Sequence, residues 1–551
     1  MKNIIRISIA TFLIFSFSGC EEQVLDKLPR EVFSEVDVWG DIELAQKFQN
    51  TIYAGLGYWA VGNYIDTYAM YSDEAMVGED LNVYYYNRGE LASDNMGRFE
   101  PIWALKYSYI RKANIFLNKI DEVSGNVERI NTMKGEVRYL RARMYFDLIK
   151  LWGGVPLIIE PMGLDDDFVV SRNSYEEIVD WIVQELEEAK EMVPSERTPE
   201  DYGRVNKGAC LGTISNVLLY ANSNLHDPGT VPNGALFDYS KDTWQECADA
   251  AKAVIDMAQY ELQPVQTWED YHKIFINPNS EMVFSKLYHS NYGAGSRHFV
   301  GPNAPIKDGG WAELDPLQGL IDAFEMANGK KIYEPESGYD PSPEKIYDNR
   351  DLRFYANILY QGSEWKTPLE FAHPGGTEVS TPPWTIPGYL TRKFMDERID
   401  LWQDLGNTPW IWIRLATMYL NYAEAQYELG NEQEAKEYVN IIRNRVNLPD
   451  ITSSGEELFS DIQHERRIEL VFENQRFFDV RRWMIAEETE NEDAIGIVWK
   501  KLDANGDLDP NGELTYTFET FQERSFQERM YYMPIPIAEM QKSDLEQNPG
   551  Y

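Results

Sequence analysis

Cysteine is nearly absent, with three in 551 residues, which leaves no disulfide framework to staple a fold. Basic charge is short as well: 51 Lys and Arg face 91 Asp and Glu, for a formal net charge of −40. A chain this acidic repels phosphate backbones, so no nucleic-acid partner is expected. Polyanionic glycans are disfavoured too, unless a local basic patch overrules the overall field. Beyond residue 20 no run is long and apolar enough to span a bilayer, which takes about 20 residues. The six histidines form no His-Glu-x-x-His pair, and neither a Gly-x-Ser-x-Gly elbow nor a Walker-type loop occurs. The easily recognised enzyme classes go with them. What is abundant is aromatic surface: 15 Trp and 34 Tyr supply both core and flat binding platforms.

One cysteine carries an address. Met1 to Arg6 is basic, Ile7 to Phe17 is apolar, and Ser18-Gly19-Cys20 follows, then Glu21-Glu22. This is an export signal (residues 1–19) too short to span a membrane. Ser-Gly-Cys resembles a bacterial lipobox, with Phe17 departing from the usual Leu, and Cys20 would be acylated as the first mature residue. Losing Lys2 and Arg6 with the signal takes the net charge to −42. A single acyl chain binds membranes only marginally, so further help is expected. Cys247 lies on the apolar stripe Cys247, Ala251, Val254, Ala258, and Cys210 in the small-residue run 208–212. Both read as buried thiols, although two positions alone do not rule out a disulfide.

Residues 20–40 read as an acidic tether, and helical periodicity dominates after it. Val137, Leu140, Met144, Leu148 and Leu151 step by three and four, as do Tyr175, Ile178, Ile182, Leu186 and Ala189. Ser174 with Glu177, Thr243 with Glu246 and Asn431 with Glu434 read as helix-start signals. Segments 102–122 with 128–151, 204–222 with 243–258, and 409–446 split at Gly430 form candidate hairpins. No repeat of fixed period is visible, so degenerate tetratricopeptide-like pairs are expected. Between about 262 and 408 Pro and Gly interrupt the pattern, five tryptophans occur (Trp268, Trp311, Trp365, Trp384, Trp402), and Met282–Tyr288 reads as a strand. The scaffold is therefore 41–261 and 409–551 of one domain spanning 41–551, with the loop-rich stretch as the expected binding surface.

Residues 464–483 read His-Glu-Arg-Arg-Ile-Glu-Leu-Val-Phe-Glu-Asn-Gln-Arg-Phe-Phe-Asp-Val-Arg-Arg-Trp. With Gly135–Ala142, Leu151–Leu157, Gly203–Ala209, Asn421–Ala425, Asn440–Arg445, Met533–Pro536 and the terminal Gln547–Tyr551, this block resembles the SusD/RagB family of Bacteroidetes outer-membrane lipoproteins. The resemblance implies a mostly α fold of tetratricopeptide-like helix pairs packed against a loop-rich region with a few short strands. It also implies a lipid-anchored protein of the outer membrane, facing the cell exterior, that binds an oligosaccharide and passes it to a SusC-like TonB-dependent barrel. Glu21-Glu22 resembles the acidic tag that directs such lipoproteins to the surface. The acidic charge favours a neutral glycan.

Glu465, Glu469, Glu473 and Asp479 offer carboxylates for a glycoside hydrolase, the alternative reading. The i, i+4 spacing of the three glutamates beside Arg466 and Arg476 is met equally by ion pairs locking helices together, the simpler explanation. A protein-binding tetratricopeptide adaptor is a third reading. Asp503, Asn505, Asp507 and Asp509 resemble the start of a calcium loop, but Leu508 and Leu514 stand where an EF-hand has Gly and Glu. Flanking strands 495–502 and 513–518 make a hairpin the simpler account, and no cofactor is expected. Sugar binding needs aromatic faces bordered by amides, carboxylates and Arg. Asp73, Tyr85, Arg88 and Asn95 before the Trp103 helix, and Tyr292 and Trp311 before the Asp322–Glu325 segment, are the expected ligand-facing residues. The resemblance implies those two regions. Trp103 and Trp152 are expected in the core.

Overall fold

The computed structural model describes residues 35–57, 67–78, 84–163, 169–230, 232–288, 301–378, 387–400 and 406–551. Cys20, Glu21, Glu22, Tyr292, Trp384 and Trp402 lie outside them. The longer helices, numbered in chain order, are α1 (Ile42–Ile52), α2 (Glu100–Lys119), α3 (Val127–Trp152), α4 (Tyr175–Met192), α5 (Lys207–Ala221), α6 (Trp244–Ile255), α7 (Leu415–Glu428), α8 (Glu432–Arg445) and α9 (Glu456–Glu469). Each of α2 to α8 packs on its neighbours in sequence, and α9 covers α7 and α8. The stack runs on from α6 to α7 as though residues 256–414 had been inserted between them. No described helix is long and apolar enough to cross a membrane.

Local chemistry sets these elements. Asn126 caps α3 by accepting from Arg129 N, and Ser174 and Glu177 form the expected reciprocal capping box on α4. Two other expected caps do not form. The Thr243 hydroxyl instead accepts from Asn222 Nδ2 at 2.8 Å, and Asn431 donates to Gln426 Oε1 while Glu434 accepts from the Tyr422 hydroxyl. A capping box the sequence reading missed, Thr267 with Asp270, starts the short helix Trp268–Ile276. Small residues set the spacing: a Cβ on Gly135 would stand 2.6 Å from Met192 Cβ, so α3 and α4 approach closely only because that position is glycine. α5 is buried along nearly its whole surface, and Cys210 and Cys247 are free, buried thiols. Trp103 and Trp152 are core residues whose rings meet edge-on at 5.2 Å.

The chain joins the fold earlier than the expected tether boundary at 40. Residues Glu35–Gly40 are helical, and Trp39 packs edge-on against Phe48 (5.4 Å) and Phe116 (6.0 Å). The far terminus is pinned as well. Trp152 Nε1 donates to Pro534 O, Met533 N donates to Leu151 O, and Asn548 Nδ2 donates to Met533 O. The Met533–Pro536 and Gln547–Tyr551 blocks thus close over the end of α3.

Strands are short and antiparallel. β1 (Ala75–Met76) pairs with β3 (Asp315–Pro316), β2 (Met282–Lys286) with β6 (Trp410–Arg414), β4 (Ile358–Leu359) with β5 (Leu390–Thr391), and β7 (Ala494–Leu502) with β8 (Glu513–Gln522). The β2–β6 ladder draws the two ends of the inserted region together. Beneath it lies a buried ionic lattice. Arg414 donates to Glu281 (2.9 Å), to Glu469 (2.7 Å) and twice to Glu473 (2.8 Å each), while Arg445 reaches Glu281 and Glu469. From the inserted region Arg353 bonds Glu465 and Glu469, Lys393 bonds Glu473 at 2.7 Å, and Glu325 accepts from Arg443 at 2.9 Å. Asp479 holds Arg466 and Arg482 in the same way. Buried charges in such geometry are tolerated only when every partner is present.

Arg414→Met removes a guanidinium from Glu281, Glu469 and Glu473 and leaves buried Glu473 with Lys393 alone, so it is expected to cost about 3–5 kcal/mol in urea denaturation. Lys252→Ala, which breaks an exposed i, i+4 pair with Asp256, should cost below about 0.5 kcal/mol. Similar losses for both would reject the lattice as the fold's keystone.

Candidate functional site

The two regions expected to face a ligand are stapled together. β1 precedes the Tyr84–Arg88 segment and β3 follows Trp311, with Ala75 opposite Pro316 and Met76 opposite Asp315. Leu317 N donates to Glu74 O at 3.0 Å, extending the ladder by one bond. Beneath it, charges fix the loop base. Arg476 clamps Asp73 with two 2.8 Å bonds and Arg467 adds a third at 2.9 Å. Arg524 donates to Ser72 O and Ala75 O, and Tyr68 N donates to Asn474 Oδ1. Asp73, expected to face a ligand, therefore has both oxygens engaged by guanidiniums, and its role in the described structure is to hold the loop. Burial opposes its ionisation, but Arg467 and Arg476 outweigh that and hold the carboxyl below the usual range.

Trp311 stands on a rigid turn. Glu378 accepts from Ile306 N (2.7 Å) and Lys307 N (3.1 Å), Lys307 Nζ donates to Thr367 O and Oγ1, and the Trp365 indole donates to Asp308. Gly309 turns the chain at φ 85°, and a Cβ on Gly310 would sit 2.0 Å from Ala304 O, so the turn closes only with glycine there. Trp311 N then donates to Pro302 O at 3.1 Å, and the side chain emerges 49% exposed. A large aromatic face held out on a stiff backbone loses little entropy on stacking.

The remaining expected residues are dispersed. Tyr85 is half-buried on the short helix Tyr84–Asn87, and exposed Arg88 lies over the Tyr84 ring at 5.0 Å. That helix is tied to the C-terminal segment, where Ser525 N donates to Asn87 O. Asn95 turns the chain, its Oδ1 accepting from Gly97 N at 3.3 Å. The structure brings the Asp73 and Trp311 loops together through β1–β3. The Tyr84–Asn87 helix, which carries Tyr85, is tied to the Asp73 loop by Asn87 Nδ2 donating to Met70 O (3.1 Å), the Tyr84 hydroxyl donating to Val77 O (2.9 Å) and the Tyr86 ring meeting Tyr71 edge-on at 5.5 Å. Sequence reasoning missed the supports Arg467, Arg524, Glu378, Lys307 and Asp308; only Arg467 lies in the family block, and the others bear no local signal.

The hydrolase carboxylates are spent. Glu465, Glu469, Glu473 and Asp479 are buried and each is paired with Arg, whereas a glycosidase acid and base flank an open bond. The 503–512 segment is a hairpin turn: Asp503 Oδ1 accepts from Asn505 N (2.8 Å) and Asp507 N (2.9 Å), and Gly506 takes φ 86°. Among the described residues no group of three or more His, Cys, Asp or Glu gathers to hold a metal ion.

Residues 258–551 match the model of the family described as "SusD family", and residues 25–219 match one described as "Starch-binding associating with outer membrane". SusD-like protein P38 of Formosa agariphila is 24% identical over 406 residues, covering 69% of this chain and 71% of its own. A SusD-like protein of Bacteroides ovatus is 24% identical over 478 residues, covering 77% and 78%. Among solved structures, a SusD-like protein from Bacteroides fragilis superposes with a TM-score of 0.78 at 29% identity, over 95% of this chain and all (100%) of that one. A protein described as a laminarin-binding SusD-like protein superposes at 0.67 with 21% identity, over 93% and 100%.

Glu74 gives the loop base a pH signature. Both its oxygens are buried without a partner, and burial, then the Asp73 charge, push it up to about 8. In the unfolded chain a glutamate ionises near its ordinary ~4.3. The folded state thus holds the extra proton between these values, and stability is lost as pH rises through that window. Glu74→Gln is expected to stabilise by about 1–3 kcal/mol near pH 7.5 and by almost nothing near pH 4. Urea midpoints that coincide with wild type at the higher pH would reject this assignment.

Proposed function

The chain belongs to the SusD family, and from that premise we propose a surface lipoprotein that captures a neutral oligosaccharide and delivers it to a TonB-dependent outer-membrane barrel. The observation that carries the binding reading is Trp311, half exposed on a turn that hydrogen bonds and glycines keep stiff. Stacking on its face, with hydrogen bonds from bordering polar groups, is the chemistry by which a neutral sugar is held without a covalent step. The description of one matched family as starch-binding and outer-membrane-associated, and that of a structural neighbour as laminarin-binding, support saccharide as the ligand class. The locking of the block carboxylates to arginine argues against hydrolysis. Delivery to the barrel rests on the family resemblance, and the anchor on Ser18-Gly19-Cys20.

In native gels cast with a panel of neutral polysaccharides that includes laminarin, at least one should retard the protein. Trp311→Ala should weaken that retardation about tenfold or more. No retardation across the panel would favour a protein-binding adaptor, and new reducing ends after incubation would favour a hydrolase. For the anchor, Cys20→Ala should leave the membrane fraction in cells lacking the transporter; retention there would count against acylation.

A further inference from the structure

A second site lies away from the Trp311 turn. A cleft of about 400 Å³ opens between α2, the C-terminal half of α3, β6 and residues 473–478. Its mouth is formed by exposed Pro101, Ala104 and Leu105. Inside, Tyr68, Trp410, Trp412 and Phe478 supply aromatic walls. The volume falls within the range of small-ligand pockets, roughly 300–1,000 Å³.

The floor is out of charge balance. Lys106, Arg143 and Lys150 all line the cleft, and Asp147 is the carboxylate they share. Glu473 lines it as well, but its oxygens are taken by Arg414 and Lys393 from behind the wall. Lys106 is satisfied, donating to Asp147 at 2.8 Å and to Gly55 O at 2.9 Å. Arg143 reaches Asp147 only through Nε at 3.3 Å. The Lys150 ammonium stands 3.6 Å from the same carboxylate and rests on the faces of Phe478 (4.0 Å) and Phe146 (4.8 Å). Three cations against one shared carboxylate leave an excess of positive charge in a nearly buried pocket, within a chain whose net charge is −40. Burial pulls Lys150 down to about 8, with Arg143 and Lys106 adding to the pull and Asp147 opposing it. A desolvated ammonium with cations beside it behaves this way.

A desolvated cationic floor under aromatic walls fits a ligand with one negative charge and an apolar ring face. We propose that this cleft binds a charged sugar residue, a uronate or a sulfated hexose, with its anion on Arg143 and Lys150 and its ring against Trp412 and Tyr68. The sugar assignment rests on the saccharide-capture reading above, whereas the anion preference rests on the cleft alone.

Calorimetric titration of the mature protein with glucuronate, galacturonate, glucose 6-sulfate, glucose and sodium sulfate tests the site. At least one charged sugar is expected to bind saturably, glucose far more weakly, and added salt to weaken the charged ligand. Lys150→Gln and Arg143→Gln should each reduce its affinity about tenfold or more, and Lys150→Arg should retain it. Absence of charged-sugar binding, equal binding of glucose, or unchanged affinity in Lys150→Gln would overturn the proposal. Sulfate matching the sugars would overturn the sugar assignment. The wild-type ligand contrast stands even if a variant fails to fold. A failure of neutral-glycan retardation would show in the gels, with Trp311, and leave this titration unaffected.

Discussion

Arg414 sits at the junction of β6 and α7, fully buried, with Glu281, Glu469 and Glu473 around it. Each partner belongs to a different part of the chain: Glu281 precedes β2, Glu469 ends α9, and Glu473 leads into the Arg476 helix. Hydrophobic burial is non-directional, so it specifies helix register less sharply than paired charges do. A guanidinium with several fixed acceptors does not slide, because displacement leaves a buried charge unpaired. The inserted region is attached to the stack through these contacts, using Arg353, Lys393 and Glu325. The lattice thus helps to fix the inserted region on the stack, together with β2–β6 and the shared core.

The same helix block reaches the loops expected to face a ligand by a second route. Arg467 and Arg476 leave the lattice on their own side to clamp Asp73, two residues ahead of β1. β1 pairs with β3, and β3 follows the turn that presents Trp311. An aromatic platform is thereby joined to the core through two ion pairs and a two-residue ladder, in addition to its own packing through Ala304, Ala312 and Leu314. Loops held on a rigid scaffold in this way are suited to binding.

Helix existence was legible because periodicity is local: α3, α4, α7 and α8 fall where the stepping apolar residues put them. Caps were less legible. Thr243 and Asn431 carry cap-forming side chains, yet tertiary partners took their hydrogen bonds. The i, i+4 glutamates suggested one helix face, but Glu473 lies past the end of α9, beyond left-handed Phe472. Asp73 shows the limit most clearly. Its partners lie about 400 residues away in sequence, and no local pattern separates a carboxylate that meets a sugar from one that meets an arginine. Trp311 could be named because the family resemblance points to the stretch before Asp322–Glu325. The cleft could not, since its walls come from six separate stretches of chain.

A net charge of −40 and a cationic cleft are compatible on grounds of range. Surface charges are screened over about 8 Å at physiological ionic strength, so the acidic exterior weakly opposes the approach of a single anion. Inside a partly buried cleft screening is much weaker, and the charges of Arg143 and Lys150 act more strongly over a few ångströms. The exterior would still reject a polyanion, whose many charges meet the acidic surface together. Selectivity then turns on charge spacing: a glycan with sparse anionic residues could seat one of them, while a densely charged polymer could not. On the proposed binding, the acidic surface and the basic pocket would act as one filter, coarse outside and specific within.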